Sequence, residues 1–215
     1  MGQLVGIMGE PASGKTTSLK SLPPEETFYI DCDSKGLNWR GWRNQYNAEN
    51  RNYFKTSEPA QVLVLIKGIS ARAEFNHIKY VVVDTVNNLM VSEEMRNCRI
   101  KGYDKWTDLA VYAWDIICIA EELREDLFLI LLFHTQTEMN DSGYTFTRIK
   151  TNGRKTEKNN IESKFNWLLH SKCIDGKYYF ETNSNASTTR TGVDAFEEKL
   201  IPNDIMQVIN VIREF

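Results

Sequence analysis

The chain has 215 residues, 41% hydrophobic and 26% charged, with a formal net charge of −3, which supplies enough apolar material for one α/β domain spanning 1–215. The slightly acidic balance excludes a globally basic nucleic-acid coat, so any DNA or RNA contact has to come from a local patch. No apolar run approaches a membrane span, and the start lacks both the pattern of a secretory signal and the serine or threonine of a myristoylation signal, so a cytoplasmic protein with no membrane partner is expected.

Leu4 to Met8 reads as a buried strand, and it runs into Gly9-Glu10-Pro11-Ala12-Ser13-Gly14-Lys15-Thr16 followed by Thr17. These residues match G-x-x-x-x-G-K-[ST], the phosphate-binding P-loop, with a helix expected from Thr16 to Leu22. Gly9 and Gly14 permit backbone conformations closed to residues with a Cβ, so that successive N–H groups turn inward around phosphate oxygens. Lys15 is expected on the β and γ phosphates of ATP, and Thr16 on Mg²⁺. The plainer alternative, a glycine-rich turn that binds nothing, is disfavoured because strand, motif and helix all occur together.

Pro23-Pro24 should stop that helix, and Thr27 to Ile30 forms a second strand ending in Asp31-Cys32-Asp33. Open α/β sheets bind ligands at this edge. Asp33 is a candidate for the carboxylate that orients or deprotonates the attacking water, or else a solvated acid, whereas Asp31 reads as a cap of the next turn. From Leu37 to Tyr46, aromatics alternate with arginines; they either stack on bases or, the favoured reading, pin a long loop to the domain.

Lys55-Thr56 closes a short strand. Ser57 reads as the N-cap of a helix with Pro59 in its first turn and Val62, Leu65, Ile66 and Ile69 as its buried stripe. Tyr80 to Val83 is a run of apolar β-formers delivering Asp84 to the strand tip, the position of a Walker B acid that holds Mg²⁺ beside Thr16. A helix follows from Asn87 to about Cys98, then a polar aromatic loop from Arg99 to Trp106, then a long amphipathic helix opened by Thr107 and Asp108.

Leu127 to Phe133 is a third apolar strand that brings His134, Thr135 and Gln136 to the same edge, where His134 or Gln136 is placed to report the γ phosphate. A structural, hydrogen-bonded His134 is the alternative. The most basic stretch comes next: Arg148, Lys150, Arg154, Lys155, Lys158 and Lys164, against Glu157 and Glu162. Tyr144 to Lys150 alternates as a strand and Asn152-Gly153 is a turn signal, so these cations would cluster on a hairpin or its exit, either as a nucleic-acid contact or as a solvated face.

Phe165 to His170 and Lys177 to Glu181 read as strands joined by a turn at Asp175-Gly176. Arg190 lies in a polar loop and is either an arginine finger toward a neighbour's ATP or a surface residue. A closing helix starts at Pro202-Asn203 and runs through Ile205, Val208, Ile209 and Ile212. The four cysteines, Cys32, Cys98, Cys118 and Cys173, have neither paired nor zinc-site spacing and read as reduced, mostly buried thiols.

Taken together, Gly9 to Thr17, Tyr29 to Asp33, Tyr80 to Asp84 and Leu129 to Gln136 resemble RecA-like P-loop ATPases, most closely the small phage-encoded Sak-type group linked to single-strand annealing and recombination. The resemblance spans most of residues 3 to 214. It implies a RecA-like P-loop NTPase fold with a mostly parallel central sheet flanked by helices and C-terminal antiparallel strands. It further implies Mg²⁺-dependent ATP hydrolysis with Asp33 as the catalytic acid, single-stranded DNA as partner, a homo-oligomer, a single-strand-binding or replication protein nearby, and the host cytoplasm as location. Thr188-Thr189-Arg190 sits where that group carries a basic finger, but with one basic residue where two are usual. A nucleotide kinase and a nucleotide-gated accessory module without turnover are the rival functions.

Overall fold

The computed structural model describes residues 1–99, 104–139, 143–151 and 160–215. Among the described residues nine strands form the sheet: β1 (Gln3–Gly9), β2 (Thr27–Asp31), β3 (Tyr53–Lys55), β4 (Tyr80–Asp84), β5 (Phe128–Met139), β6 (Thr145–Ile149), β7 (Trp167–Ile174), β8 (Lys177–Glu181) and β9 (Leu200–Pro202). Their order is β3-β2-β4-β5-β1-β7-β8-β9, with β6 paired to the far half of β5. From β3 to β7 every pairing is parallel, and β7-β8, β8-β9 and β5-β6 are antiparallel.

Unbroken apolar runs such as Tyr80–Val83 and Phe128–Phe133 follow from covering both faces of a parallel sheet. Alternation then sorts the side chains. Val81, Val83, Leu129 and Leu131 face α2 (Pro59–Ala71), α3 (Val86–Arg96) and α4 (Asp104–Cys118) in one cluster with Val62, Ile66, Ile116 and Ile117. Val82, Ile130, Leu132, Val5 and Ile7 face the other way, against Leu19, Leu37, Trp39 and the apolar stripe of the closing helix, Ile205, Val208, Ile209 and Ile212. No described helix is long and apolar enough to cross a membrane.

Several local expectations are corrected. The segment after the P-loop is a short 3-10 turn, Thr17–Ser21, because Leu22 precedes Pro23 and is forced extended at ψ 135°. Glu58, not Ser57, occupies the N-cap of α2; Ser57 instead accepts from the Arg96 guanidinium through its Oγ at 2.6 Å and its carbonyl at 3.1 Å. Helix α3 spans Val86–Arg96, not Asn87 to Cys98, and α4 begins at Asp104, so Asp104 to Trp106 belong to a helix and not to a loop.

Pro202 ends β9, an edge strand that needs no donor from it. The closing helix, α5 (Ile205–Ile212) after α1 (Trp42–Gln45), is instead capped by Asp204, which accepts from Met206 N at 2.9 Å. The Asp175-Gly176 turn is as expected, with φ of 50° and 76° at its two residues. Of the cysteines, Cys32 is buried, Cys118 half-buried, and Cys98 and Cys173 exposed. The Asn152-Gly153 turn lies outside the described residues.

Candidate active site

Parallel pairing brings three strand ends and the middle of β5 to one edge: Gly9 opposite His134, and Asp31 opposite Asp84. The P-loop leaves β1 there. A Cβ on Gly9 would lie 2.4 Å from Ser13 Oγ and 2.7 Å from Ser171 O, and Gly14 adopts φ 101° with the Tyr178 ring 2.7 Å from where its Cβ would be. Neither position accepts a side chain. Ala12 also takes a left-handed φ of 62°. Ser171 Oγ donates to Ser13 O at 2.8 Å, and Thr135 Oγ1 donates to Glu10 Oε1 at 2.7 Å, so β7 and β5 both brace the loop.

The loop borders a pocket of about 490 Å³. Pro11, Ala12, Gly14, Lys15, Thr16 and Thr17 line one side, residues 35–38 the other, and Asp84, His134 and Tyr178 complete it. Gly9, Glu10 and Ser13, also expected to hold phosphate, are not among the residues that line it. Lys15 Nζ donates to Gly9 O and Glu10 O, each at 2.8 Å. Burial lowers the Lys15 ammonium from 10.5 to about 8, against the pull of Asp84.

Asp84 is the buried centre, 2% exposed. Its Oδ2 accepts from Thr16 Oγ1 at 2.9 Å and from the Tyr29 hydroxyl. Desolvation raises its pKa, although Tyr29, Lys35 and Thr16 pull it down. Asp84 Oδ1 is buried without a hydrogen-bond partner, and an orphaned carboxylate oxygen in a pocket is costly unless a ligand completes it. Beside the Thr16 hydroxyl, this hard oxygen donor suits Mg²⁺, which is held by one or two protein oxygens together with substrate phosphates. The residues therefore fit the metal and the nucleotide.

Asp33 is held from two sides: Oδ1 accepts from Thr85 Oγ1 at 3.0 Å, and Oδ2 pairs with Lys35. Asp31, in contrast, caps the following turn, accepting from Gly36 N at 2.8 Å and Tyr53 OH at 2.6 Å. His134 lines the pocket with Nδ1 buried and unpartnered, and burial followed by the Lys15 charge lowers its pKa, which keeps the imidazole neutral at pH 7. Gln136 does not line the pocket; its amide donates to Glu138 Oε1 at 2.7 Å. Arg190 is also outside it, bridged through its backbone to Leu168 with Nε 3.5 Å from Thr188 O.

Asn87 and Lys35 are among the site residues that the sequence did not single out. Asn87 accepts from His134 N at 2.7 Å and donates to Lys150 O at 2.7 Å, tying the start of α3 to the middle of β5 and the exit of β6. Lys35 is a second lysine lining the pocket. Asn87 follows Asp84 by three residues, so a helix starting there was the available signal; Lys35 had none beyond its charge. The aromatic loop follows its favoured reading, with Trp39 and Tyr46 buried and packed edge-on against each other.

In the basic stretch, Arg148 pairs with Glu162 at 3.3 Å, and Glu162 Oε1 also accepts from Ile149 N at 3.2 Å with its side chain fully buried. Lys164 pairs with Glu121 at 3.2 Å and sits over the Trp114 ring. Lys150 is exposed, and Arg154, Lys155 and Lys158 lie outside the described residues. Removing one partner of a buried ion pair strands the other, at about 3 kcal/mol or more. Glu162→Ala should therefore lower the melting temperature by roughly 6–12 °C, and adding Arg148→Met should recover part of that. Equal melting of the single variant and wild type in a thermal scan would show the pair to be dispensable.

A family model described as an AAA domain matches residues 1–191. No curated protein matches the chain.

Proposed function

We propose that this chain, which belongs to the AAA domain family matched over residues 1–191, is a Mg²⁺-dependent ATPase whose cycle is coupled to single-stranded DNA. Family membership and the P-loop make it a nucleotide-binding ATPase domain with a P-loop NTPase fold; metal dependence and DNA coupling are our reading. The observation that carries it is the buried, unpartnered Asp84 Oδ1 beside Thr16 Oγ1 and Lys15 in one pocket.

In that reading Lys15 leaves the carbonyls of Gly9 and Glu10 for the β and γ phosphates, and Thr16 with Asp84 holds the metal. Bound there, Mg²⁺ would offset charge developing on the transferring phosphoryl group. Asp33, on the same edge, orients the attacking water or takes its proton. His134 lines the pocket and has a buried ring nitrogen without a hydrogen-bond partner, and its backbone is wired through Asn87 to Lys150, which supports a path from the γ phosphate to the basic stretch. Lys150 with Arg154, Lys155 and Lys158 is the proposed backbone contact, Arg148 being committed to Glu162. Arg190 is proposed to act on a neighbour's nucleotide in a homo-oligomer.

The test is ATP hydrolysis with and without single-stranded DNA, with DNA affinity measured at two salt concentrations. Four phosphate contacts predict affinity about 50-fold weaker at 200 mM than at 50 mM salt, from a slope of roughly −0.7 per contact. Salt-sensitive stimulation supports the coupling. Turnover without any response to DNA would retain the ATPase and reject the partner; binding without turnover would favour a nucleotide-gated module.

A further inference from the structure

The pocket holds a second lysine that the P-loop motif does not account for, and the chain spends several specific interactions on placing it. After β2, Ser34 and Gly36 adopt left-handed φ of 58° and 76° on either side of Lys35, a conformation that non-glycine residues such as Ser34 adopt at a cost. Asp31 Oδ2 closes this turn on Gly36 N at 2.8 Å. Thr85 Oγ1 holds Asp33 Oδ1 at 3.0 Å, and Asn88 Nδ2 donates to Cys32 O at 2.5 Å. The turn is thereby fixed to the start of α3, and Lys35 lines the pocket that Lys15, Thr16, Asp84 and His134 line from the other side.

The charges indicate what the arrangement is for. Lys35 lines the same pocket as Lys15, Asp84 and His134, and its ammonium is held there by Asp33 Oδ2, the other oxygen of which is tied to Thr85 beside Asp84. Two ammonium groups converging on one cavity repel each other unless an anion lies between them. Without nucleotide each has a substitute: Lys15 rests on two carbonyls, and Lys35 on the Oδ2 of Asp33. That substitute is the carboxylate that the hydrolase reading assigns to the attacking water.

We propose that Lys35 is a γ-phosphate ligand that exchanges partners: it holds Asp33 while the pocket is empty or carries a diphosphate, and moves to the terminal phosphate of a triphosphate, releasing Asp33 Oδ2 for water. The proposal rests on the reading of this pocket as a Mg²⁺–ATP site. It gives the site a means of telling ATP from ADP within a single chain. No bond is made or broken in the exchange; one ion pair replaces another. Lys35 is half-exposed on its side chain, at 53%, so its substitution does not disturb the core.

The experiment is calorimetric binding of Mg²⁺–ADP and of Mg²⁺ with a non-hydrolysable ATP analogue to the full chain, comparing wild type with Lys35→Gln and Lys35→Arg. A charge-assisted contact made only to the γ phosphate predicts that Lys35→Gln weakens the analogue by about 10- to 100-fold and leaves ADP within about twofold. Lys35→Arg should restore most of the difference. Equal weakening of both nucleotides, or no change in either, would overturn the assignment while leaving the ATP site standing. A wild-type chain that binds neither nucleotide would remove the hydrolase reading and this one with it.

Discussion

Lys15→Ala should abolish steady-state ATP hydrolysis to within about 1% of wild type, because one substitution removes the cation expected on the transferring γ phosphoryl group and on the β phosphate of the leaving ADP. Nucleotide affinity should fall by roughly 10- to 100-fold from the lost charge-assisted contacts. Folding should respond differently. Lys15 is 6% exposed and its ammonium donates to two carbonyls, yet burial holds it at about 8 where the unfolded chain would have 10.5. Between those values the unfolded chain binds more protons, so wild-type stability without nucleotide rises with pH across the window from about 8 to 10.5, and the penalty is fully present below 8.

Nucleotide binding carries the opposite slope. Phosphate restores a partner to the ammonium, so above pH 8 binding takes up a proton, and affinity should be flat from pH 7 to 8 and then fall by up to about tenfold per unit. Lys15→Ala should lack both slopes. The check is a set of thermal melts and nucleotide titrations from pH 7 to 10 on wild type and variant; a variant that keeps the wild-type pH dependence would place the titrating group elsewhere, and one that keeps turnover would end the P-loop assignment.

How far the sequence carried these expectations depends on the range of the interaction concerned. The polar residues at the site are legible because a parallel strand buried on both faces leaves an unbroken apolar run whose first polar residue marks where the doubly covered part ends; Asp31, Asp84 and His134 all announce themselves in this way, although β5 runs on past His134 to Met139 to pair with β6. The P-loop is legible because backbone geometry restricts Gly9 and Gly14 to glycine. What stayed hidden is pairing between distant residues. Tyr29 reads as one more core aromatic, and only the packing of β2 on β4 brings its hydroxyl to Asp84, 55 positions away. Arg148 counts as a free cation until Glu162, 14 positions on, is found buried against it. Lys35 looks like any loop lysine, since left-handed turns at Ser34 and Gly36 leave no spacing pattern.

Those long-range contacts give Asp84 the second large expectation, in which activity and stability move in opposite directions. Asp84→Asn should cut hydrolysis by about 100-fold or more, since an amide oxygen is a poor substitute for a carboxylate on Mg²⁺. The protein without nucleotide should nonetheless become more stable. Desolvation raises the Asp84 pKa, so the native state binds the proton more tightly than the unfolded chain does; this contribution to stability is fully present below 3.8 and is lost as pH rises through the raised value. At pH 7 the carboxylate therefore sits buried at a cost, with one oxygen unpartnered. An amide of the same shape removes the charge and keeps an oxygen to accept from Thr16 Oγ1 and the Tyr29 hydroxyl. A gain of about 1–3 kcal/mol, some 2–12 °C in melting temperature, is expected, together with loss of the extra stabilisation that Mg²⁺ and nucleotide give the wild type by mass action. Thermal scans at pH 7 with and without Mg²⁺ and a non-hydrolysable ATP analogue read both effects. A variant that melts well below wild type while still hydrolysing ATP would make Asp84 a structural acceptor for Thr16 and Tyr29, and the metal would have to be held by other oxygens.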